Sequence, residues 1–156
     1  MENGKGIMEA LNLPAFGYKI KKTEGKTWIF DAIRKKYLVL TPEEWVRQHF
    51  LNYLIQHLHY PKGLIAPERG TTYNTLAKRT DICVYNTAGK VQLLVECKAS
   101  SVKISADTVQ QATTYNQKIK APFVVLTNGL EHFCWQVDFA NLTTIPLTDI
   151  PKYPQL

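Results

Sequence analysis

Asp81-Ile82-Cys83-Val84-Tyr85, Asn86-Thr87-Ala88-Gly89-Lys90 and Val91-Gln92-Leu93-Leu94-Val95-Glu96-Cys97-Lys98 form the stretch that decides the fold. Two runs rich in aliphatic and aromatic residues flank a polar segment carrying Gly89, which is a hairpin signal. Whether the turn is Ala88-Gly89 or the longer Thr87–Lys90, the register is the same and sets Asp81 opposite Glu96. Side chains alternate along a strand, so Glu96 and Lys98 share a face and Asp81 opposes them on it. Two carboxylates directly across a ladder repel unless a cation lies between them. Lys98 and a divalent metal would together neutralise them. Mg2+ takes such oxygen donors, with the backbone carbonyl of Cys97 as another, and keeps positions open for phosphate. A solvated surface face is the plainer reading. Against it, the apolar run Leu93-Leu94-Val95 leads straight into Glu96, and crowded ionisable groups mark sites.

On the C-terminal side, Ser105 or Asp107 caps a helix over about Thr108–Ile119. Gln111 and Tyr115, at i and i+4, share one of its faces. Phe123–Leu126 is fully apolar, hence a buried strand, ended by Asn128-Gly129, and Phe133–Val137 is a further strand. The tail from Pro146 reads as a covering arm. On the N-terminal side, Thr41-Pro42-Glu43-Glu44 starts a helix, with Thr41 as N-cap and Glu44 at the N3 place of a capping box. It runs to about His59, stopped by Pro61 and Gly63. Val46, Phe50, Leu51, Tyr53, Leu54 and Leu58 make its apolar face; Gln48, His49, Asn52, Gln56 and His59 fill the other. Glu43 and Arg47 fall inside the apolar face. Because Glu44 has a local reason in the capping box, Glu43 is the carboxylate assigned to the site, with Glu44 the alternative. A Glu43–Arg47 pair at i,i+4 is the purely structural reading.

Further upstream, Trp28–Asp31 and Tyr37–Leu40 read as short strands around the basic turn Arg34-Lys35-Lys36, and the first twenty residues as a loosely tied arm. Leu64-Ile65-Ala66 is strand-like, followed by a polar loop from Glu68 to Lys78. The element order gives an α/β fold: a mixed central sheet flanked by helices.

A chain of 156 residues is one domain by the usual size prior, here a core over about 28–138 with an arm (1–26) and a tail (140–156). The net charge of +6 suits a polyanionic partner. Three cysteines without short spacing exclude a disulfide scaffold and a zinc ribbon. His57 and His59 point to different sides of a helix and make a poor metal pair. Gly25-Lys26-Thr27 ends like a phosphate-binding loop, but Ile20 stands where its first glycine belongs. No apolar run reaches the ~18 residues of a membrane span, so the expectation is a cytoplasmic protein with no membrane partner.

Thr80-Asp81 followed by Glu96-Cys97-Lys98 resembles the D…ExK core of the PD-(D/E)XK nuclease superfamily, with Thr80 in place of the proline. Together with Pro42–Gln48, Lys78–Asp81, Val95–Ala99 and Leu126–Gly129, over roughly residues 28–138, it resembles the N-terminal nuclease domain of type I restriction endonuclease R subunits. Gln111-Ala112-Thr113-Thr114-Tyr115 is similar to the QxxxY of the RecB-like branch. The resemblance implies a restriction-endonuclease-like fold and a Mg2+-dependent DNA endonuclease, with Mn2+ able to substitute. Asp81 and Glu96 would hold the metal, Lys98 would act on water or the phosphorane, and Gln111 and Tyr115 would steady Lys98 or the DNA. Lys78, Arg79 and Lys103 would grip phosphates, with Lys35 and Lys36 further candidates. The partners implied are DNA and restriction-modification or motor subunits, since the chain carries no Walker A loop and no room for a motor of its own. Free-standing protein or excised domain, DNA or RNA, and oligomeric state stay open. The competing functions are a binding module on a nuclease fold and a Holliday-junction-resolvase-like nuclease.

Overall fold

The computed structural model describes residues 7–66 and 81–155. In that part lie two sheets and two α-helices. β1 (Ile20–Thr23), β2 (Lys26–Asp31) and β3 (Lys36–Val39) form an antiparallel meander. β4 (Ile65–Ala66), β5 (Ile82–Tyr85), β6 (Val91–Cys97), β7 (Phe123–Thr127), β8 (His132–Asp138) and β9 (Thr143–Leu147) form the second sheet, in that order. All neighbours in it are antiparallel except β6 and β7, which run parallel. A parallel pair needs a crossover, and α2 (Ala106–Ile119) provides it. Ser105 caps this helix in a reciprocal box with Thr108.

α1 (Pro42–Asn52), continued by a π-helical turn over Tyr53–His57, covers one face of the large sheet. There Val46, Phe50 and Leu54 pack with Ile82, Val84, Leu93 and Val95, all essentially inaccessible to solvent. α2 covers the opposite face. Ile119 and Tyr115 meet Cys83, Tyr85, Val91 and Leu94, and Ala112 meets Val124, Leu126 and Trp135. The result is a mixed sheet between helices, as the element order implies, with every residue of β7 buried.

Three expectations need correction. α1 has no polar outer face in its first turns: Gln48 and His49 are buried like Val46 and Phe50. The reason is the small sheet and the segment before it, whose Ile29, Leu40, Ile20 and Leu11 gather around Trp45 on that side. From Ile7 on, that segment is not a loose arm. Trp45 Nε1 donates to the Glu9 carbonyl at 2.9 Å, Asn12 N donates to the Gly129 carbonyl at 2.8 Å, and His132 Nε2 meets the Asn12 carbonyl at 2.9 Å. The segment leads directly into strand β1. Finally, the tail begins as β9, beside β8, before it turns back to cover the core through Tyr153 N on the Leu58 carbonyl.

Gly129 ends β7 with φ +86°, and an added Cβ would lie 2.9 Å from Leu11 Cδ2 and 3.1 Å from Val46 Cγ2. The turn after β7 therefore requires glycine for conformation and for space.

His49 sits between the rings of Phe16 and Trp45, with Nδ1 2.8 Å from the Trp45 carbonyl. Burial lowers its pKa, and the bond to that carbonyl only partly opposes this. A depressed folded pKa means that the unfolded chain binds the proton first. The stability from neutral His49 is complete above the unfolded value near ~6.5 and is lost as pH falls through the folded value. The melting temperature is expected to drop between pH 7 and 5, and His49→Gln to flatten that part of the profile in a thermal scan.

Candidate active site

The β5–β6 hairpin carries the charged cluster, and its register has two parts. Around the turn, Asn86 N donates to the Lys90 carbonyl at 2.8 Å and Tyr85 faces Val91. Gly89, at φ +80°, closes a three-residue loop. That register, continued, would place Asp81 opposite Val95. The ladder instead shifts between Val84 and Tyr85: Val84 faces Leu93, Cys83 faces Leu94 and Ile82 faces Val95. Gln92 is the extra residue of this bulge. Continued one residue past the last pair, Ile82 with Val95, this register sets Asp81 opposite Glu96, as the sequence predicts, by a route the sequence does not show.

The face follows from alternation. Leu94 and Cys83 belong to the α2 side, so Glu96 and Asp81 do too, as does Lys98 beyond them. Asp81 is 6% and Glu96 2% exposed, so the charges do not lie on a solvated face. Lys98 Nζ is 2.8 Å from Glu96 Oε2, while its side chain stays about a quarter open to solvent. Lys98 N donates to the Thr127 carbonyl at 2.8 Å, which fixes the backbone just past β6. α2 runs back across this face, with Tyr115 half-buried against the Leu94 cluster. Gln111, one turn nearer the start of α2, lies toward the Glu96 end and is exposed. Lys103 is exposed on the crossover. Thr80, Lys78, Arg79 and Glu68 lie outside the described residues.

The other side of the ladder end is a buried polar network. Arg47 Nη1 pairs with Asp31 Oδ2 at 2.5 Å and with Glu44 Oε2 at 3.0 Å. Gln48 Nε2 donates to the same two oxygens, at 3.0 and 2.7 Å. Arg47 Nε reaches the Asp81 carbonyl at 3.4 Å. Burial would raise the Asp31 pKa, but the Arg47 charge, the Arg34 amide and the bonds from Arg47 and Gln48 outweigh it and hold it below the ordinary carboxylate range. Burial would likewise lower Arg47, and Glu44 and Asp31 together raise it.

This corrects the assignment on α1. Glu44, not Glu43, is the buried carboxylate, at 1% exposure, while Glu43 is half-exposed. Thr41 Oγ1 does accept from Glu44 N at 3.0 Å, but the Glu44 side chain turns forward to Arg47 and Gln48 instead of back to the cap. A buried guanidinium attracts that carboxylate more strongly than a single backbone amide. The Arg47 partner is therefore at i−3, and Glu43 is not it. His57 and His59 are both exposed.

Cys97 stands between the two sets of charges, its side chain in the α1-side core. Burial pushes its thiol far up; Asp81, Glu44 and Glu96 push the same way, against Arg47. It is inert as a nucleophile, and only its carbonyl is a candidate donor. Asn128 is a residue the sequence reading did not assign. Its amide donates to the Val102 carbonyl at 2.8 Å, and its oxygen accepts from Leu130 N and Glu131 N at 2.9 and 2.8 Å. It ties the crossover after Lys98 to the end of β7; the Asn-Gly strand end was the available signal.

A family model for the type I restriction enzyme R protein N terminus matches residues 42–151. The chain belongs to that family. The match starts at Pro42, the first residue of α1, and runs through the hairpin, α2 and the rest of the large sheet. Membership in the type I R N-terminal family makes a restriction-system nuclease role the coarse reading, with DNA and restriction-modification subunits as its context. No curated protein and no solved structure matches the chain significantly. Among the described residues no helix is long and apolar enough to cross a membrane.

Proposed function

We propose that the chain is a divalent-metal-dependent endodeoxyribonuclease on a PD-(D/E)XK core, acting with partner subunits of a restriction system. The observation that carries this reading is the Asp81–Glu96 pair, buried across the ladder with Lys98 Nζ 2.8 Å from Glu96 Oε2. Among the described residues no group of three or more His, Cys, Asp and Glu gathers around one point. A site of two carboxylates and a carbonyl still fits Mg2+, which takes one or two carboxylates and fills its other positions with water and phosphate oxygens. Asp81, Glu96 and the Cys97 carbonyl would hold it, and Mn2+ would replace it on the same donors. When bound, the ion supplies Lewis-acid activation of the phosphoryl oxygen and a lowered pKa for water. Lys98 orients the attacking water or meets the charge that builds on the phosphorane. Gln111 and Tyr115 steady Lys98 or the scissile strand, and Lys103, Lys78 and Arg79 hold phosphates. The Glu44 carboxylate is committed to Arg47 and Gln48 and takes no proton from water in this scheme.

A supercoiled-plasmid assay tests the reading. Slow nicking with Mg2+, none with chelator, and little cutting of linear DNA are expected, because no residue here is assigned to base reading or translocation. Nicking that survives chelation, or rapid sequence-specific cutting by the purified chain, would contradict it.

A further inference from the structure

The three-stranded sheet lies outside the family match, and its outer face has no part in the catalytic reading. Its inner row, Ile20, Ile29 and Leu38, faces the core around Trp45. Alternation then turns the neighbouring rows outward: Lys21, Trp28 and Val39 in one, Phe30 and Tyr37 in the next, beside Lys19. Trp28, Phe30 and Tyr37 are half-buried, with the Trp28 Nε1 itself covered, and Lys19, Lys21 and Lys26 are exposed. Phe30 and Tyr37 meet edge to face at 5.3 Å. Lys19 Nζ lies 5.5 Å from the Phe30 ring centre, and Lys21 Nζ lies 4.5 Å from that of Tyr37.

The charge is concentrated here too. Residues 19–36 hold seven Lys and Arg and two Asp and Glu, a net of +5 against +6 for the whole chain. One of the two acids, Asp31, is buried on the inner side and paired with Arg47. A protein that only needed solubility would not place three aromatic rings among these lysines on an outward face.

We propose that the outer face of β1–β3 is a binding platform for single-stranded DNA. Unpaired bases stack on Trp28, Phe30 and Tyr37 while Lys19, Lys21 and Lys26 follow the phosphates. Rings of this kind favour unpaired bases, because a duplex hides its base faces in the stack. The lysines give affinity without sequence choice. Beside Phe30, a cavity of about 220 Å3 lined also by Phe16, Tyr18, Lys19 and Lys62 continues the aromatic track. The proposal does not depend on cleavage and holds with the metal site empty or altered.

The test is fluorescence anisotropy of fluorescein-labelled oligo-dT, with the intact chain in chelator so that no hydrolysis intervenes. Expected are binding tighter than to a duplex of equal length and quenching of tryptophan emission, since Trp45 and Trp135 are buried and Trp28 is not. Phe30→Leu with Tyr37→Leu keeps apolar bulk and should weaken binding by about tenfold or more. Lys21→Ala with Lys26→Ala should make the dependence of log affinity on log salt shallower by about 0.7 per lysine. A far-UV spectrum and melting curve check that the variants fold; Phe30→Tyr, which keeps a ring where Phe30→Leu removes it, should keep binding near wild type if the role is stacking. Equal binding of duplex and oligo-dT with no loss in the Leu variant would overturn the proposal. So would cosedimentation with anionic phospholipid vesicles without oligo-dT binding.

Discussion

Lys98→Met is expected to lower Mg2+-dependent nicking by about 10²–10³-fold, the usual cost of removing one donor aimed at developing charge. The fold should survive. Lys98 is about a quarter exposed but Glu96 is buried, so losing the pair should cost about 1–3 kcal/mol, less than the stability of an ordinary domain. Glu96→Gln separates the two roles of that carboxylate. It keeps the shape, removes the repulsion from Asp81 and gives up the pair to Lys98, so metal-free stability should change by no more than about 1 kcal/mol. Metal binding, followed by calorimetry, should nevertheless weaken strongly. A melting temperature lowered by many degrees in Glu96→Gln would identify Glu96 as a structural partner of Lys98 and remove the basis for the site. Unchanged nicking in Lys98→Met would do the same for the assignment of Lys98.

Much of this site was legible because a two-residue period is rigid. Once the hairpin is recognised, Asp81, Glu96 and Lys98 fall on one face by alternation, and the Ile82–Val95 pair gives the register from which Asp81 and Glu96 continue. The route was not legible. A three-residue loop and a bulge at Gln92 shift the register by one each, in opposite senses, and no residue type announces a bulge that carries no glycine. Had only one of these been present, Asp81 would have turned to the other face. The buried second face of α1 was hidden for a different reason. Helical periodicity describes one helix against one core, whereas α1 lies between two sheets. Gln48 and His49 look polar in sequence and are buried in the fold because hydrogen bonds satisfy them. Glu43 and Glu44 could not be told apart from spacing, since the capping box and the Arg47 pair compete for the same carboxylate and burial decides between them. β1 was masked by its own composition: three of its four residues are polar, and only Ile20 faces the core.

Arg47→Met is expected to be the most destabilising single change in this part of the chain, at about 3–5 kcal/mol. The wild-type guanidinium, 2% exposed, neutralises Asp31 and Glu44, both buried, and reaches the Asp81 carbonyl at 3.4 Å. Methionine fills most of the volume but leaves Asp31 with Gln48, Arg34 and two backbone amides, and Glu44 with Gln48. For a domain of this size each kcal/mol is about 2–4 °C, so the melting temperature should fall by roughly 10 °C. The pH dependence gives an independent sign. In the wild type the Asp31 pKa is depressed, so its stabilisation is present above the unfolded value near ~3.9 and is lost as pH falls through the folded one. Without Arg47, the burial that already pushes Asp31 upward is less opposed. Its stability deficit should then shrink on acidification, so that wild type and variant converge below about pH 4 in a denaturant titration. Arg47→Met combined with Asp31→Asn and Glu44→Gln removes the stranded charges and should recover most of the loss, since a whole buried ion network is often replaceable where half of one is not. A gap between Arg47→Met and wild type that stays constant from pH 7 to 3, or a triple variant no more stable than the single one, would mean that Arg47 acts through packing and not through the charges it holds.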